Sequence, residues 1–240
     1  MSSDDARAAS GAEAVAELDA ITRRLRRECP WDRAQDERSI VPHTVEEAYE
    51  LADAAASGDD AKLLDELGDV LFQVHFLALL LEERGQGSLA AVAAGTREKL
   101  IRRHPHVFGE VEVGGSDDVR SNWDRIKREQ EGRGAEGPFA DVPENLPGPL
   151  YARKLQRRAA AAGRDGPAAD AADALARVRA AAEALGDRPV SADPEHRTGA
   201  ERDAAEKAIG RLLLAAVDLA RIARVDPELS LRRAADGLRG

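Results

Sequence analysis

The sequence predicts an all-α protein, and three observations carry that prediction. Alanine, leucine, glutamate and arginine dominate, while aromatic residues make up only 3%, a composition of helix formers rather than strand formers. Apolar residues recur at three- and four-residue steps, the period of a helix face. Pro30, Gly58, Gly85 and Pro105 close those periodic runs, as helix stops do. A chain of 240 residues can bury one large core or two modest ones.

Taken in order, residues 1–12 are small and polar and are expected to fray. Val15, Leu18, Ile21, Thr22 and Leu25 recur at helical spacing, predicting a first helix from Val15 to Arg27 that ends before Cys29-Pro30. Thr44 and Glu47 have capping-box spacing, so a second helix starts there and runs to Ser57, where Gly58 stops it. A third covers 60–84 and ends at Gly85. Ser88 can cap a fourth that reaches Arg103, where His104-Pro105 terminates it. Ser116 can cap another, from Asp117 to Gln130. Gly132, Gly134, Gly137, Pro138, Pro143, Pro147, Gly148 and Pro149 then crowd into eighteen residues, too broken for a regular element. This marks 131–149 as a linker between a first domain at 13–130 and a second at 150–240. Helical patterns resume at 150–162, 168–185, 200–224 and 227–236, the last opening with Asp226-Pro227 as cap and first turn.

The second half reads as a worn copy of the first. A shift of 142 residues places Gly68 on Gly210, Leu71 on Leu213, Leu77 on Leu219, Ala78 on Ala220 and Ser88-Leu89 on Ser230-Leu231 without a gap, which predicts a degenerate repeat of one fold. The same shift puts Glu66 on Ala208 and Asp69 on Arg211. The repeat keeps packing positions and loses carboxylates.

With 45 acidic against 35 basic side chains, the net charge of -10 repels a phosphate backbone over most of the surface. That argues against a general nucleic-acid binder, while a small polyphosphate is acceptable where a metal and a few local cations supply positive charge. The single cysteine, Cys29, cannot form an internal disulfide, which fits a reducing compartment; beside Pro30 and Trp31, with no basic partner in evidence, it reads as a packed turn residue rather than a nucleophile. Nothing at the N-terminus pairs a basic region with an apolar run, and the apolar stretch 76–81 is too short to span a bilayer. The expectation is a cytoplasmic protein with no membrane partner.

Residues three apart on a helix lie about 60° apart around its axis, so Glu47 and Glu50 share one face of the second helix, as Glu66 and Asp69 share one of the third. The fifteen residues from Leu51 to Asp65 leave room for a turn, and an antiparallel hairpin brings both pairs together. Four carboxylates so close repel strongly, and the apolar turn Val70-Leu71-Phe72 solvates them poorly, so something cationic must compensate. An all-oxygen donor set without histidine or cysteine favours a hard divalent ion, with Mg²⁺ expected and Mn²⁺ as a substitute. The plain alternative is a solvated acidic face. Against it stands the repeat, which preserves the apolar positions without Glu66 or Asp69, so packing does not need those acids.

The strings Cys29-Pro30-Trp31-Asp32, E-E-A-Y-E-L at 46–51, D-E-L-G-D at 65–69, E-K-L-I-R-R-H-P-H-V-F-G at 98–109 and N-W-D-R-I-K at 122–127 occur in this order. Together they resemble the MazG family, strongly over residues 15–130 and faintly over 150–240. The resemblance implies an all-helical domain that forms a tight homodimer and hydrolyses nucleoside triphosphates to monophosphate and pyrophosphate. It places metal ligands at Glu47, Glu50, Glu66 and Asp69, with Glu46 completing the acidic motif, and phosphate or nucleotide contacts at Lys62, Lys99, Arg103, Trp123 and Lys127. Either Glu46 or Glu47 is the expected base.

The residues agree with those roles without dictating them. Lys99 and Arg103 are four apart and can grip a polyphosphate together, or form a solvated basic face at a helix end. Trp123 and Lys127 have the same spacing, suited to a ring on a base beside a cation on phosphate, yet Trp123 also reads as an ordinary core aromatic. His104 and His106 flank a proline and suit either phosphate or loop packing, while His75 sits in an apolar run and reads as core or interface. The third helix is apolar nearly all round from Val70 to Leu81, so a partner surface is implied, either a second copy of the chain or the C-terminal repeat. Departures from the family pattern are Glu28, where glycine is frequent, and His43-Thr44, where apolar or aromatic residues are usual; in the repeat only Glu183 falls near the place of Glu50. Rival readings are a relative specialised for dUTP or phosphoribosyl-ATP, and a non-catalytic helical interaction protein.

Overall fold

The computed structural model describes residues 3–115, 118–119, 122–123, 125–126, 137–140, 142–186 and 199–239. Among them the chain is helical without a strand, and no helix is long and apolar enough to cross a membrane. Two compact units form, Met1–Arg102 and Arg103–Gly240.

The first unit opens with α1 (Ser3–Glu28). It starts well before the expected Val15, because alanines at 6, 8, 9, 12, 14 and 16 are the strongest helix formers and outweigh the polar composition. Pro30 forces Cys29 into an extended conformation, φ -83° and ψ 124°, and serves as the first residue of a short α2 (Pro30–Ala34). Next comes α3 (Glu37–Ser57), which starts seven residues ahead of Thr44, the expected cap. Its actual cap is Asp36, whose carboxylate accepts from the Ser39 amide at 2.9 Å while the Ser39 hydroxyl accepts from the Asp36 amide at 2.9 Å. Pro42 inside the helix hid that start, since an interior proline costs about 3 kcal/mol. Here the residue whose carbonyl loses a partner, Arg38, is exposed and so is Pro42, so water can satisfy it.

Gly58 ends α3 in the left-handed region at φ +73°, which glycine adopts without penalty. Asp59 then caps α4 (Asp60–Glu83), accepting from the amides of Ala61 and Lys62 at 3.0 and 3.1 Å. The result is a tight α3–α4 hairpin, the main packing pair of the unit. Its core is Ile40, Phe76 and Leu80, flanked by Phe72 and Leu77. Arg26 of α1 binds both oxygens of Glu83 at 2.9 Å and also donates to the carbonyls of Asp32 and Gln35. Arg23 grips Glu82 in the same two-pronged way. These two arginines tie α1 to the far end of α4. Leu64, Leu67, Leu71 and Val74 stay exposed along α4.

Ser88 caps α5 (Leu89–Arg103), accepting from the Ala91 amide at 3.1 Å. After His104 comes the short α6 (Pro105–Phe108). Of the helix expected over 117–130, residues 118–119, 122–123 and 125–126 are helical, and the rest, with Lys127, lies outside the described residues. The second unit continues with α7 (Gly148–Ala161), α8 (Ala171–Gly186), α9 (Gly199–Ile222) and α10 (Pro227–Asp236). Its dominant pair is α8 with α9, and α7 packs on α9. Asp226 caps α10 as its sequence predicts, accepting from Glu228 and Leu229 at 3.1 Å each.

Candidate metal centre

The hairpin turn sets which acids meet. Counting back from Gly58, Glu50 lies eight residues away and Glu47 eleven; counting on from Asp59, Glu66 lies seven away and Asp69 ten. With equal rise per residue on both helices, Glu50 stands level with Glu66 and Glu47 with Asp69. The electrostatics follow that pairing: among neighbouring charges, Asp69 acts most strongly on Glu47, and Glu50 on Glu66.

Glu47, Glu66 and Asp69 each offer a carboxylate oxygen, all within 4.8 Å of one another. Glu66 is buried, Glu47 half-buried and Asp69 exposed, so the group forms one wall open to solvent at its outer edge. Glu50 falls outside this trio, although it is close enough to act on both glutamates. Burial first, and then the charges of Asp69, Glu50, Glu66 and Glu46, raise Glu47 above the usual carboxylate range. Burial again leads for Glu66, which Glu50, Asp69 and Asp65 push further up while the Lys62 ammonium pulls it back. Both shifts describe anions that the protein alone stabilises poorly.

One atom sharpens this. The Glu66 Oε2 is buried and accepts no hydrogen bond among the described residues, a condition that costs free energy unless a cation faces it. The donor set is carboxylate only, which fits a hard divalent ion such as Mg²⁺ better than zinc or copper.

Glu46 points elsewhere. It is exposed, and its Oε2 lies 3.2 Å from His43 Nδ1, while the His43 ring sits 6.1 Å from that of Trp31. In the sequence His43 stands out only as a departure from the family pattern; its three-residue spacing from Glu46 permits this contact without announcing it. Lys62 is exposed on the first turn of α4, one turn before Glu66, and Lys99 is half-buried on α5.

In the second unit, Arg103 is buried with its guanidinium 5.8 Å from the Trp123 ring. His104 meets the same ring edge-on at 5.1 Å, and its own ring lies 5.6 Å from that of His106. Trp123 is thus packed between a cation and a histidine, a cluster that no sequence spacing announced. His75 is fully buried in the first unit, with Nδ1 3.7 Å from Asp19, a core position.

Comparison with known proteins bears on the same helices. The profile described as the MazG nucleotide pyrophosphohydrolase domain matches residues 35–108, which contain the trio. A Thermotoga maritima protein named nucleoside triphosphate pyrophosphohydrolase/pyrophosphatase MazG is 35% identical over 220 residues, covering 91% of this chain and 80% of that protein. An Escherichia coli (strain K12) nucleoside triphosphate pyrophosphohydrolase is 41% identical over 147 residues, 59% of this chain. A Mycolicibacterium smegmatis protein of the same name is 32% identical over 154 residues. The chain spans about half the length of the Escherichia coli relative, 56%. Since the likeness to the Thermotoga protein runs through both units and the domain match falls on the acid-bearing hairpin, the chain belongs to the MazG family.

Proposed function

We propose that this protein hydrolyses nucleoside triphosphates to nucleoside monophosphate and pyrophosphate, using Mg²⁺, or Mn²⁺ in its place, bound by Glu47, Glu50, Glu66 and Asp69. The observation that carries the reading is the buried, hydrogen-bond-free Oε2 of Glu66, on a carboxylate that offers an oxygen within 4.8 Å of oxygens of Glu47 and Asp69. Its support from outside is the activity for which the relatives are named.

Held by Glu47, Glu50, Glu66 and Asp69, a divalent ion would supply positive charge against the triphosphate and Lewis acidity for hydrolysis. The protein supplies the remaining parts. Lys62, Lys99 and Arg103 bind phosphate oxygens, Arg103 with its planar fork. Trp123 and Lys127 complete the nucleotide contacts. Water attacks the α-phosphorus, the bond to the bridging oxygen breaks, and pyrophosphate leaves. Glu46 or Glu47 accepts the water's proton, and Glu46 has His43 as its neighbour at 3.2 Å.

The exposed positions Leu64, Leu67, Leu71 and Val74 step by three and four along α4, a seam suited to a second helix. They support a homodimer. The proposed setting is the cytoplasm, with neither nucleic acid nor membrane as partner.

Pyrophosphate release from mixed nucleoside triphosphates, measured with Mg²⁺ and then with excess chelator, tests the reading. Release should stop in chelator, and in Glu50→Ala or Asp69→Ala, while the helical circular dichroism persists. Turnover that survives either treatment overturns the assignment.

A further inference from the structure

Under the 142-residue shift, the acidic face of α4 becomes a basic one on α9: Asp65 falls on Lys207, Glu66 on Ala208 and Asp69 on Arg211. Lys207 and Arg211 are four apart and line, with Asp203, one groove of about 330 Å³, and neither is within ion-pair distance of a carboxylate among the described residues. With two cations to one carboxylate the groove is net positive in a chain of net charge -10 and attracts an anion directly, where the first unit's carboxylates need a metal between them and phosphate.

Arg211 also borders a second cavity, of about 590 Å³. That volume lies within the range of small-molecule sites. Phe139, Tyr151, Leu155 and Leu214 give it an apolar, partly aromatic lining, and Arg164 lies over the Phe139 ring at 5.2 Å. Gln156 reaches the same wall and is nine-tenths buried. Its Nε2 donates to the Leu214 carbonyl at 2.8 Å, which fixes the amide orientation, and its Oε1 is buried without a hydrogen-bond donor. A buried acceptor left over on a residue of the cavity wall calls for an N–H, which a ligand in the cavity can bring. Asp165 and Asp218 also reach the lining. Asp218 is engaged by the Ala168 amide and by Arg221, which leaves Asp165 able to accept from sugar hydroxyls.

We propose that the second unit binds a nucleoside monophosphate without metal, its base in the Phe139–Tyr151 cavity with an N–H on Gln156 Oε1 and its phosphate on Arg211 and Lys207. The inference stands on the second unit alone and is indifferent to whether the first unit is a pyrophosphohydrolase.

Calorimetry on the full chain in excess EDTA tests it, titrating AMP, GMP, CMP and UMP. At least one should bind at one per chain, and Arg211→Glu should weaken it by about tenfold or more. Purine riboside 5′-monophosphate lacks a base N–H donor and should bind about tenfold more weakly than AMP, a difference that Gln156→Leu erases. Asp69→Asn, in the first unit, should bind as the native chain does. Arg211 is exposed and outside any ion pair, so its variant should melt normally; Lys207→Glu gives a second charge reversal if it does not. Absence of binding at millimolar nucleotide, binding indifferent to both charge reversals, loss of binding in Asp69→Asn, or inorganic phosphate binding as tightly as the nucleotides would each overturn the proposal.

Discussion

Several matched positions of α4 and α9 share their burial and fill it with different chemistry. Glu66 is 7% exposed and its counterpart Ala208 is 8% exposed. Phe76, at 0%, corresponds to Asp218, at 3%. The exposed side agrees too, with Leu67 at 48% against Ile209 at 44%. Position along the helix therefore decides burial, and residue type decides what the buried position does. Alanine satisfies the 208 site, so the carboxylate at 66 is not there for packing. Conversely, the second unit places an acid where the first has its central phenylalanine, and makes it a structural clamp: Asp218 accepts from the Ala168 amide at 2.5 Å and from Arg221 at 2.6 Å, and Arg221 returns a bond to the Ala168 carbonyl at 2.7 Å. A buried acid with donors stabilises; a buried acid without them awaits a cation.

The sharpest way to break this contrast is to make the first unit imitate the second. Glu66→Ala should lower pyrophosphate release by about a thousandfold or more while raising the melting temperature in chelator by about 2–4 °C. A variant that loses stability in chelator would show Glu66 to be a packing residue after all. The reverse exchange, Ala208→Glu, should be milder, because Lys207 and Arg211 flank the position, costing under about 2 kcal/mol, visible as a lower urea midpoint.

The proton dependence gives a subtler test. Glu47 and Glu66 have raised pKa values in the folded chain, so the folded state holds their protons more tightly than the unfolded one. Their stabilising contribution is complete below the ordinary carboxylate range and is lost as pH rises through the raised values. On the proposed reading, Mg²⁺ would replace those protons. Its gain in melting temperature should therefore be larger near about pH 8 than near about pH 5, and an equal gain at both would sever the link between these shifts and the metal.

The smallest effects concern the clamps. Asp218→Ala strands the Ala168 amide and Arg221 in a buried place and should cost about 2 kcal/mol. Arg26→Ala, which loses Glu83, two carbonyls and the contact with Phe76 at 5.8 Å, should cost about 1–2 kcal/mol. Arg23→Ala, a more exposed pair, should cost under about 1 kcal/mol. Chemical denaturation of the three variants ranks them; Arg23 at the head of that ranking would contradict the account.

The all-α class, the third helix and the meeting of its acids with Glu47 were legible because each depends on local rules: three-residue spacing, a glycine stop and a short turn. The start of α3 was hidden by Pro42, whose cost is real but is borne on an exposed face. The reach of α1 to Ser3 was hidden by polar composition that alanine propensity overrode. The packing of Arg103 and His104 against Trp123 joins residues about twenty apart through a loop, and side-chain contacts of that kind leave no periodic trace. Nor could spacing tell that Glu46 turns to His43 while Glu47 joins the trio, since adjacent residues differ by only about 100° on a helix.

The left-handed turn at Gly58 and Asp59 has one more consequence. Because it doubles the chain back at once, every acid of the centre lies within the 23 consecutive residues from Glu47 to Asp69. Such a centre behaves as a cassette: it can be transplanted, duplicated or silenced as one short piece, with no distant segment having to change in step.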